Sequence, residues 1–180
     1  DRKRGLELCG FDESKPVLMV IGGSLGASSV NKTVRDNLDA LLQKFQIVHL
    51  CGKDKMDNLL LTRPGYRQFE YVKEDLKDLY AMADIVLSRA GANAICELLA
   101  LKKPNLLVPL PTGRGDQKLN AASFEAQGYS IVVQDDDLPD VILEKISELY
   151  EHRDQYISAM EKSSQTDSNH LVLSLIEQEA

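Results

Sequence analysis

Five consecutive apolar residues, Val17-Leu18-Met19-Val20-Ile21, run straight into Gly22-Gly23. So short a run with no polar alternation is a strand covered on both faces, and such strands belong to parallel sheets with helical crossovers. The chain after it must therefore alternate helix and strand. Val30, Val34, Leu38, Leu41 and Phe45 recur at three- and four-residue spacing, the stripe of one amphipathic helix. Residues 47–50 read as a second strand stopped by Gly52, and residues 69–72 as a third. Leu76, Leu79, Tyr80 and Ala83 mark a helix, residues 85–87 a strand, and Ile95, Leu98 and Leu99 the next helix. Residues 106–108 form a strand ended by Pro109 and Pro111. A helix over 116–127 then stops at Gly128, a usual glycine terminus, and residues 131–133 make the sixth strand.

Beyond Asp135-Asp136-Asp137 only helices follow. The first carries Leu138, Val141, Ile142, Ile146 and Leu149, with Pro139 in its first turn; a second spans 154–162; a third holds Leu171, Val172, Leu175 and Ile176. The sum is an α/β fold: a doubly wound, six-stranded, mainly parallel Rossmann-like sheet with C-terminal helices. Its 180 residues, 43% hydrophobic and 27% charged, make an ordinary globular composition, and residues 1–180 read as a single domain that needs no disulfide or metal.

Charge narrows the partners. A net charge of −7 without a basic stripe argues against nucleic acid, and against this chain being the main contact with an anionic membrane. No apolar run reaches the roughly 18 residues of a membrane span. The charged start, Asp1-Arg2-Lys3-Arg4-Gly5, leads into no signal-peptide core. Cys9, Cys51 and Cys96 are odd in number and lack CxxC spacing, which reads as reduced thiols of a cytoplasmic protein; Cys96 sits in an apolar helical pattern and reads as core.

Three segments carry candidate chemistry, all at the carboxyl ends of strands, where such sheets bind ligands. Gly22-Gly23-Ser24-Leu25-Gly26-Ala27 joins the first strand to the first helix. Glycines admit a tight turn and close approach to backbone N–H groups, and a helix N-terminus offers unpaired donors that suit a phosphate. A plain serine-capped turn is the other reading. The segment is neither GxGxxG nor a P-loop. Ser88-Arg89-Ala90-Gly91-Ala92-Asn93-Ala94-Ile95-Cys96-Glu97 makes a second such junction. Glu97, a turn and a half into its helix, either holds a ribose diol or is a solvated surface acid. In the loop 109–121, Asp116, Gln117 and Asn120 can bond sugar hydroxyls, or Asp116 can simply cap a helix. His49 reads as a core or strand-edge histidine, and His152 and His170 as exposed. Asp135-Asp136-Asp137 reads as helix-capping and turn chemistry, and no cluster has metal-ligand spacing.

Taken in order, GGSLGA, Tyr71-Val72, Leu79-Tyr80-Ala81-Met82-Ala83-Asp84, SRAGA through Glu97, and RGDQ followed by Asn120-Ala121 resemble the MurG family of bacterial peptidoglycan GlcNAc-transferases over nearly the whole chain. The resemblance implies a GT-B architecture, of which this chain is the C-terminal, UDP-GlcNAc-binding domain. It implies that Gly22, Gly23, Ser24 and Gly26 meet the diphosphate and that the backbone at Val72 reads the uracil edge. It further implies that Glu97 holds the ribose, and that Arg89, Gly91, Ala92, Asn93, Asp116, Gln117 and Asn120 surround the diphosphate and GlcNAc. Two positions depart from the family: Asn93-Ala94, where threonine is frequent, and Asp116, where glutamine or histidine is.

The implied reaction is inverting transfer of GlcNAc to the C4 hydroxyl of lipid I, giving lipid II, with no metal and no cofactor. The general base and the lipid I surface are expected in an N-terminal acceptor domain that these residues do not contain, so the chain by itself has no catalytic residue. The complete protein is expected at the cytoplasmic face of the membrane, with no insertion by this domain. The alternative is a stand-alone soluble subunit of a split GlcNAc-transferase of lipid-linked glycan synthesis. A dinucleotide oxidoreductase would need GxGxxG and an acid ending the second strand, which instead ends in Leu50-Cys51-Gly52. A non-enzymatic UDP-sugar sensor is separated only by an activity assay.

Overall fold

A computed structural model describes residues 1–22 and 27–165. Six strands, β1 (Val17–Ile21), β2 (Gln46–Leu50), β3 (Tyr66–Phe69), β4 (Ile85–Ser88), β5 (Asn105–Leu107) and β6 (Ser130–Val132), form one sheet in the order β3-β2-β1-β4-β5-β6. β1 with β2, β2 with β3, and β5 with β6 pair in parallel. The order turns back beside β1, the arrangement of a Rossmann-like doubly wound sheet. The chain divides into two compact units, Asp1–Leu87 and Ser88–Ala180.

In the first unit, β1 is the buried strand its apolar run predicts: Val17, Leu18, Met19 and Val20 are wholly inaccessible. The predicted stripe Val30, Val34, Leu38, Leu41 and Phe45 is buried throughout. It does not lie on one helix. The chain forms α2 (Ala27–Asp36) and α3 (Leu38–Leu42), interrupted at Asn37, whose Nδ2 donates to the Thr33 carbonyl at 2.8 Å and competes with the helical ladder.

The third strand lies three residues earlier than expected. Register with β2 pairs Ile47 with Tyr66 and Leu50 with Phe69, whereas Tyr71 stands 68% exposed. At the amino end, α1 (Arg2–Cys9), a helix that the charged composition hid, packs on α4 (Leu76–Met82). Asp1 caps it by accepting from the Lys3 and Arg4 N–H groups. The two helices cross tightly at Gly5, where a Cβ would stand 2.5 Å from the Asp78 carbonyl oxygen. Asp84, closing the Leu79–Asp84 motif, accepts from the Val17 N–H at 2.8 Å while its own N–H donates back to the Val17 carbonyl at 2.9 Å. That exchange joins the amino ends of β1 and β4.

In the second unit, α5 (Ala92–Leu101) buries Ile95, Leu98 and Leu99, and α6 (Asp116–Ala126) buries Ala121 and Phe124. Phe124 meets Tyr129 edge-on at 5.3 Å, just past Gly128, whose φ of 80° ends the helix as predicted. α7 (Leu138–Glu151) presents Leu138, Ile142, Ile146 and Leu149 to the core, and α8 (Arg153–Gln165) adds Met160. The expected helix at Leu171–Ile176 lies outside the described residues. Cys96 is half-buried rather than core, since the buried stripe of α5 runs through its neighbours Ile95, Leu98 and Leu99.

Candidate donor-binding site

The carboxyl ends of β1 to β3 frame a cavity of about 470 Å³ in the first unit. Ile21, Leu50, Val72, Leu76 and Tyr80 wall it, with Lys53 and Glu70 among its polar lining. Its shape follows from the strand ends. Gly22 is buried and donates to the Leu50 carbonyl at 3.3 Å, drawing the exit of β1 toward β2. Past β2, the Cys51 and Gly52 N–H groups donate to the Phe69 and Glu70 carbonyls at 2.8 and 2.9 Å. Gly52 can do so because its φ of 94° suits glycine. Pairing therefore continues through Glu70, and the chain leaves the sheet at Tyr71-Val72, which places Val72 in the cavity wall. A mostly apolar pocket with a few polar groups is the ordinary form of a small-molecule site. Gly23, Ser24 and Gly26 lie outside the described residues.

Behind the same strand ends sits a buried polar network. His49 is wholly inaccessible on β2, with Nδ1 2.6 Å from the Tyr66 hydroxyl and Nε2 2.7 Å from Asn31 Oδ1. The Asn31 amide is oriented by its Nδ2, which donates to the Cys51 carbonyl at 2.8 Å. Its Oδ1 can only accept, so His49 Nε2 carries the hydrogen and, in the neutral ring, Nδ1 accepts from Tyr66. Burial, reinforced by the charge of Arg35, lowers His49 to about 3, which keeps the ring neutral. Burial raises the Tyr66 hydroxyl to about 12 and the Cys51 thiol to about 11, so neither ionises near neutrality. One turn beyond Asn31, Arg35 Nη2 donates to Gln68 Oε1 at 2.8 Å and to the Lys55 carbonyl at 2.7 Å, and lies 3.2 Å from Cys51 Sγ. Of the two sequence readings of His49, core or strand edge, the structure bears out the core; nothing in the sequence reading pointed to Asn31, Arg35, Tyr66 and Gln68. A signal was present: Asn31 is a polar residue beside the buried stripe of α2.

In the second unit, the candidates separate into those that hold the loops and those open to solvent. Gln117 Oε1 accepts from the Ala90 and Leu110 N–H groups at 3.1 and 2.9 Å, tying the β4–α5 and β5–α6 loops together. Asn120 is wholly buried and its Nδ2 donates to the Ala90 carbonyl at 3.0 Å. It therefore supports the β4–α5 loop from within the fold, where the sequence offered it as a sugar contact. Arg89 is likewise buried. It is 4% exposed, with Nη1 2.7 Å from Asp135 Oδ1 and 3.2 Å from the Val108 carbonyl. Asp135 thus supplies an ion-pair partner for Arg89, while Asp135–Asp137 form a single 3-10 turn and Asp137 holds the N-cap position of α7, in keeping with the turn and capping roles expected from the sequence.

Gly91 holds the N-cap of α5 at an ordinary φ of −67°, and Ala92 behind it is buried. A Cβ at 91 would touch only Gln117 Nε2, at 3.8 Å, so packing among the described residues leaves room for a larger residue there. Asn93 and Glu97 are exposed on α5. Asp116 is the first residue of α6, and the cap itself is Gly115 in the left-handed region, so the capping role read for Asp116 does not hold. Among the described residues, no group of three or more His, Cys, Asp or Glu side chains is placed to hold a metal ion.

The sheet order and the strand-to-helix junctions define a Rossmann-like α/β domain of the kind that builds GT-B glycosyltransferases. Residues 17–174 match the profile of the glycosyltransferase family 28 C-terminal domain. The chain belongs to that family. It is 55% identical, over 98% of its length and 51% of the relative's, to the Lachnospira eligens protein named UDP-N-acetylglucosamine--N-acetylmuramyl-(pentapeptide) pyrophosphoryl-undecaprenol N-acetylglucosamine transferase. A Clostridium botulinum (strain Hall) protein of the same name is 55% identical over 91% of the chain and 47% of that protein. The chain thus spans about half the length of the curated relatives it matches. Its fold is also that of MurG from Acinetobacter baumannii, with a TM-score of 0.71 at 23% identity, covering 96% of this chain and 53% of that one. The glycosyltransferase VinC, solved with dTDP, gives 0.70 at 18% identity over 96% and 44%.

Proposed function

We propose that this chain is the UDP-GlcNAc-binding half of a GlcNAc-transferase that adds GlcNAc to lipid I to form lipid II at the cytoplasmic face of the membrane. The observation that carries the proposal is the cavity at the ends of β1 to β3. Val72, the position that the family resemblance assigns to the uracil edge, forms part of its wall. An apolar pocket accepts the faces of a pyrimidine, while the backbone at Val72 supplies edge recognition. The diphosphate falls to the residues 22–27 and the N-terminus of α2, where orphan N–H groups and the helix dipole favour negative charge. Those groups also favour the charge that builds on departing UDP, so they stabilise the transition state as well as the bound donor.

On the second unit, Glu97 is exposed and can accept from the ribose hydroxyls, and Gln117, whose oxygen is committed to two backbone donors, keeps its Nε2 for GlcNAc. Asn93 and Asp116, in the first turns of α5 and α6, complete the proposed surroundings of the diphosphate and GlcNAc. The general base and the lipid I surface belong to the other half of the protein. Among the described residues, no helix is long and apolar enough to cross a membrane.

Calorimetric titration with UDP-GlcNAc, UDP, dTDP and ADP tests the proposal. Preference for the uridine nucleotides is the expected result, and no binding, or equal binding of all four, refutes it. Glu97→Ala is expected to weaken UDP-GlcNAc by about tenfold through loss of charge-assisted hydrogen bonds. Unchanged affinity in a folded variant removes Glu97 from the site.

A further inference from the structure

We propose that the hydrogen-bonded chain Asn31–His49–Tyr66 fixes the distance between the base pocket and the N-terminus of α2, making Asn31 and His49 positioning residues for the donor diphosphate. The inference rests on the donor-site reading above and deepens it.

Asn31 is the fifth residue of α2, about 6 Å along the axis from its start at a rise of 1.5 Å per residue. It is 2% exposed, and both ends of its amide are engaged, Oδ1 by His49 Nε2 and Nδ2 by the Cys51 carbonyl. Arg35, four residues on and so on the same face, reaches Cys51 Sγ and Gln68 Oε1. Two successive turns of α2 are thereby latched to Cys51, the residue that follows β2. The next residue, Gly52, lines the cavity. One short segment, 51–52, is therefore shared by the cavity and by the latch on α2.

Apolar side chains of similar volume would fill the same space, but they would let the helix slide. Each bond here has one permitted donor and one permitted acceptor. The Cys51 carbonyl fixes the amide of Asn31, the amide fixes the tautomer of His49, and the tautomer requires Tyr66 to donate. A shift of α2 along its axis would break the first link and leave buried polar groups unpaired, which is strongly opposed. None of these residues has to touch the ligand. Their effect is to hold the helix start at one separation from the pocket, so that base and diphosphate are met together.

The test compares UDP with uridine, since uridine senses only the pocket. Titrations of both ligands into the wild-type chain, Asn31→Ala and Tyr66→Phe, with ¹⁵N spectra of the imidazole, give the readouts. Wild type is expected to prefer UDP and to show the Nε2–H tautomer. Asn31→Ala is expected to cut the preference for UDP over uridine by about fivefold, the effect of about one hydrogen bond, while uridine affinity stays within about twofold. Tyr66→Phe is expected to lower the preference by less and to keep the Nε2–H tautomer, which the Asn31 oxygen still requires, whereas Asn31→Ala is expected to populate the other tautomer.

An unchanged ratio in both variants overturns the inference. Should Asn31→Ala lose both ligands through loss of structure, Tyr66→Phe decides: a lowered ratio supports the inference and an unchanged one overturns it. Wild type that binds neither ligand refutes the donor-site reading itself, and the inference falls with it.

Discussion

His49 occupies a position that β2 otherwise gives to Ile47, Val48 and Leu50. Buried and doubly hydrogen-bonded, it stays neutral in the folded chain down to about pH 3, against an ordinary value of 6.5. Below pH 6.5 the unfolded chain takes up a proton that the folded chain refuses. Stability should therefore fall with acidity between about 6.5 and 3, by at most about 1.4 kcal/mol per pH unit from this residue. Urea midpoints from pH 7 to 4.5 should drop more steeply for the wild type than for His49→Gln; parallel curves would show that His49 titrates normally. Gln117 invites a second test. Gln117→Leu strands the Ala90 and Leu110 N–H groups and should cost about 1–3 kcal/mol in urea unfolding, whereas Gln117→Glu, which keeps the acceptor, should cost less. Equal losses would mean that the two bonds contribute little. Single letters placed His49 in the core or at a strand edge, because a histidine inside an apolar run has few other fates. They did not foretell Arg89 or Asn120, whose polarity resembles a ligand contact until the burial is known. Asp135, forty-six positions along the chain from Arg89, gives no local sign that the two meet.

Elements with apolar periodicity were legible, and those stabilised by polar groups were not. β1, β2 and α7 fall within a residue or so of their predicted limits because burial alone determines them. β3 was displaced because its inward residues are Tyr66 and Gln68, and a buried glutamine looks like a loop residue until Arg35 and the Asp57 backbone are seen to satisfy it. α1 was missed because its mean character is charged and only Leu6, Cys9 and Gly5 turn inward. Its contact with α4 yields a sharp prediction. In Gly5→Ala the new methyl meets the Asp78 carbonyl oxygen at 2.5 Å and Met82 Cβ at 2.9 Å, so the helices must separate. A loss of about 1–3 kcal/mol, read as a lower Tm, is expected even though alanine is the better helix former. A higher Tm would show that the crossing yields freely.

At the scale of the whole molecule, the family motifs carry the functional assignment and the geometry selects among them. Saturating UDP-GlcNAc at about one hundred times its Kd should stabilise the chain by about 2.7 kcal/mol, seen as a raised thermal midpoint that GDP-mannose does not reproduce. The segment proposed for the diphosphate stands out in the sequence because glycines before a helix mark a candidate N-terminal anion site. The cavity proposed for the base is signalled there only by Val72, since Ile21, Leu76 and Tyr80 read from sequence as ordinary core.

The junction of α1 with α4 also orders events in time. An eight-residue helix cannot persist alone in water, and the surface that α1 covers is made by residues some seventy positions later in the chain. The turns of α1 therefore settle only after that later segment has been made and has folded. In the folded chain the same turns should open readily, so their amides should exchange with deuterated water well before those of β1.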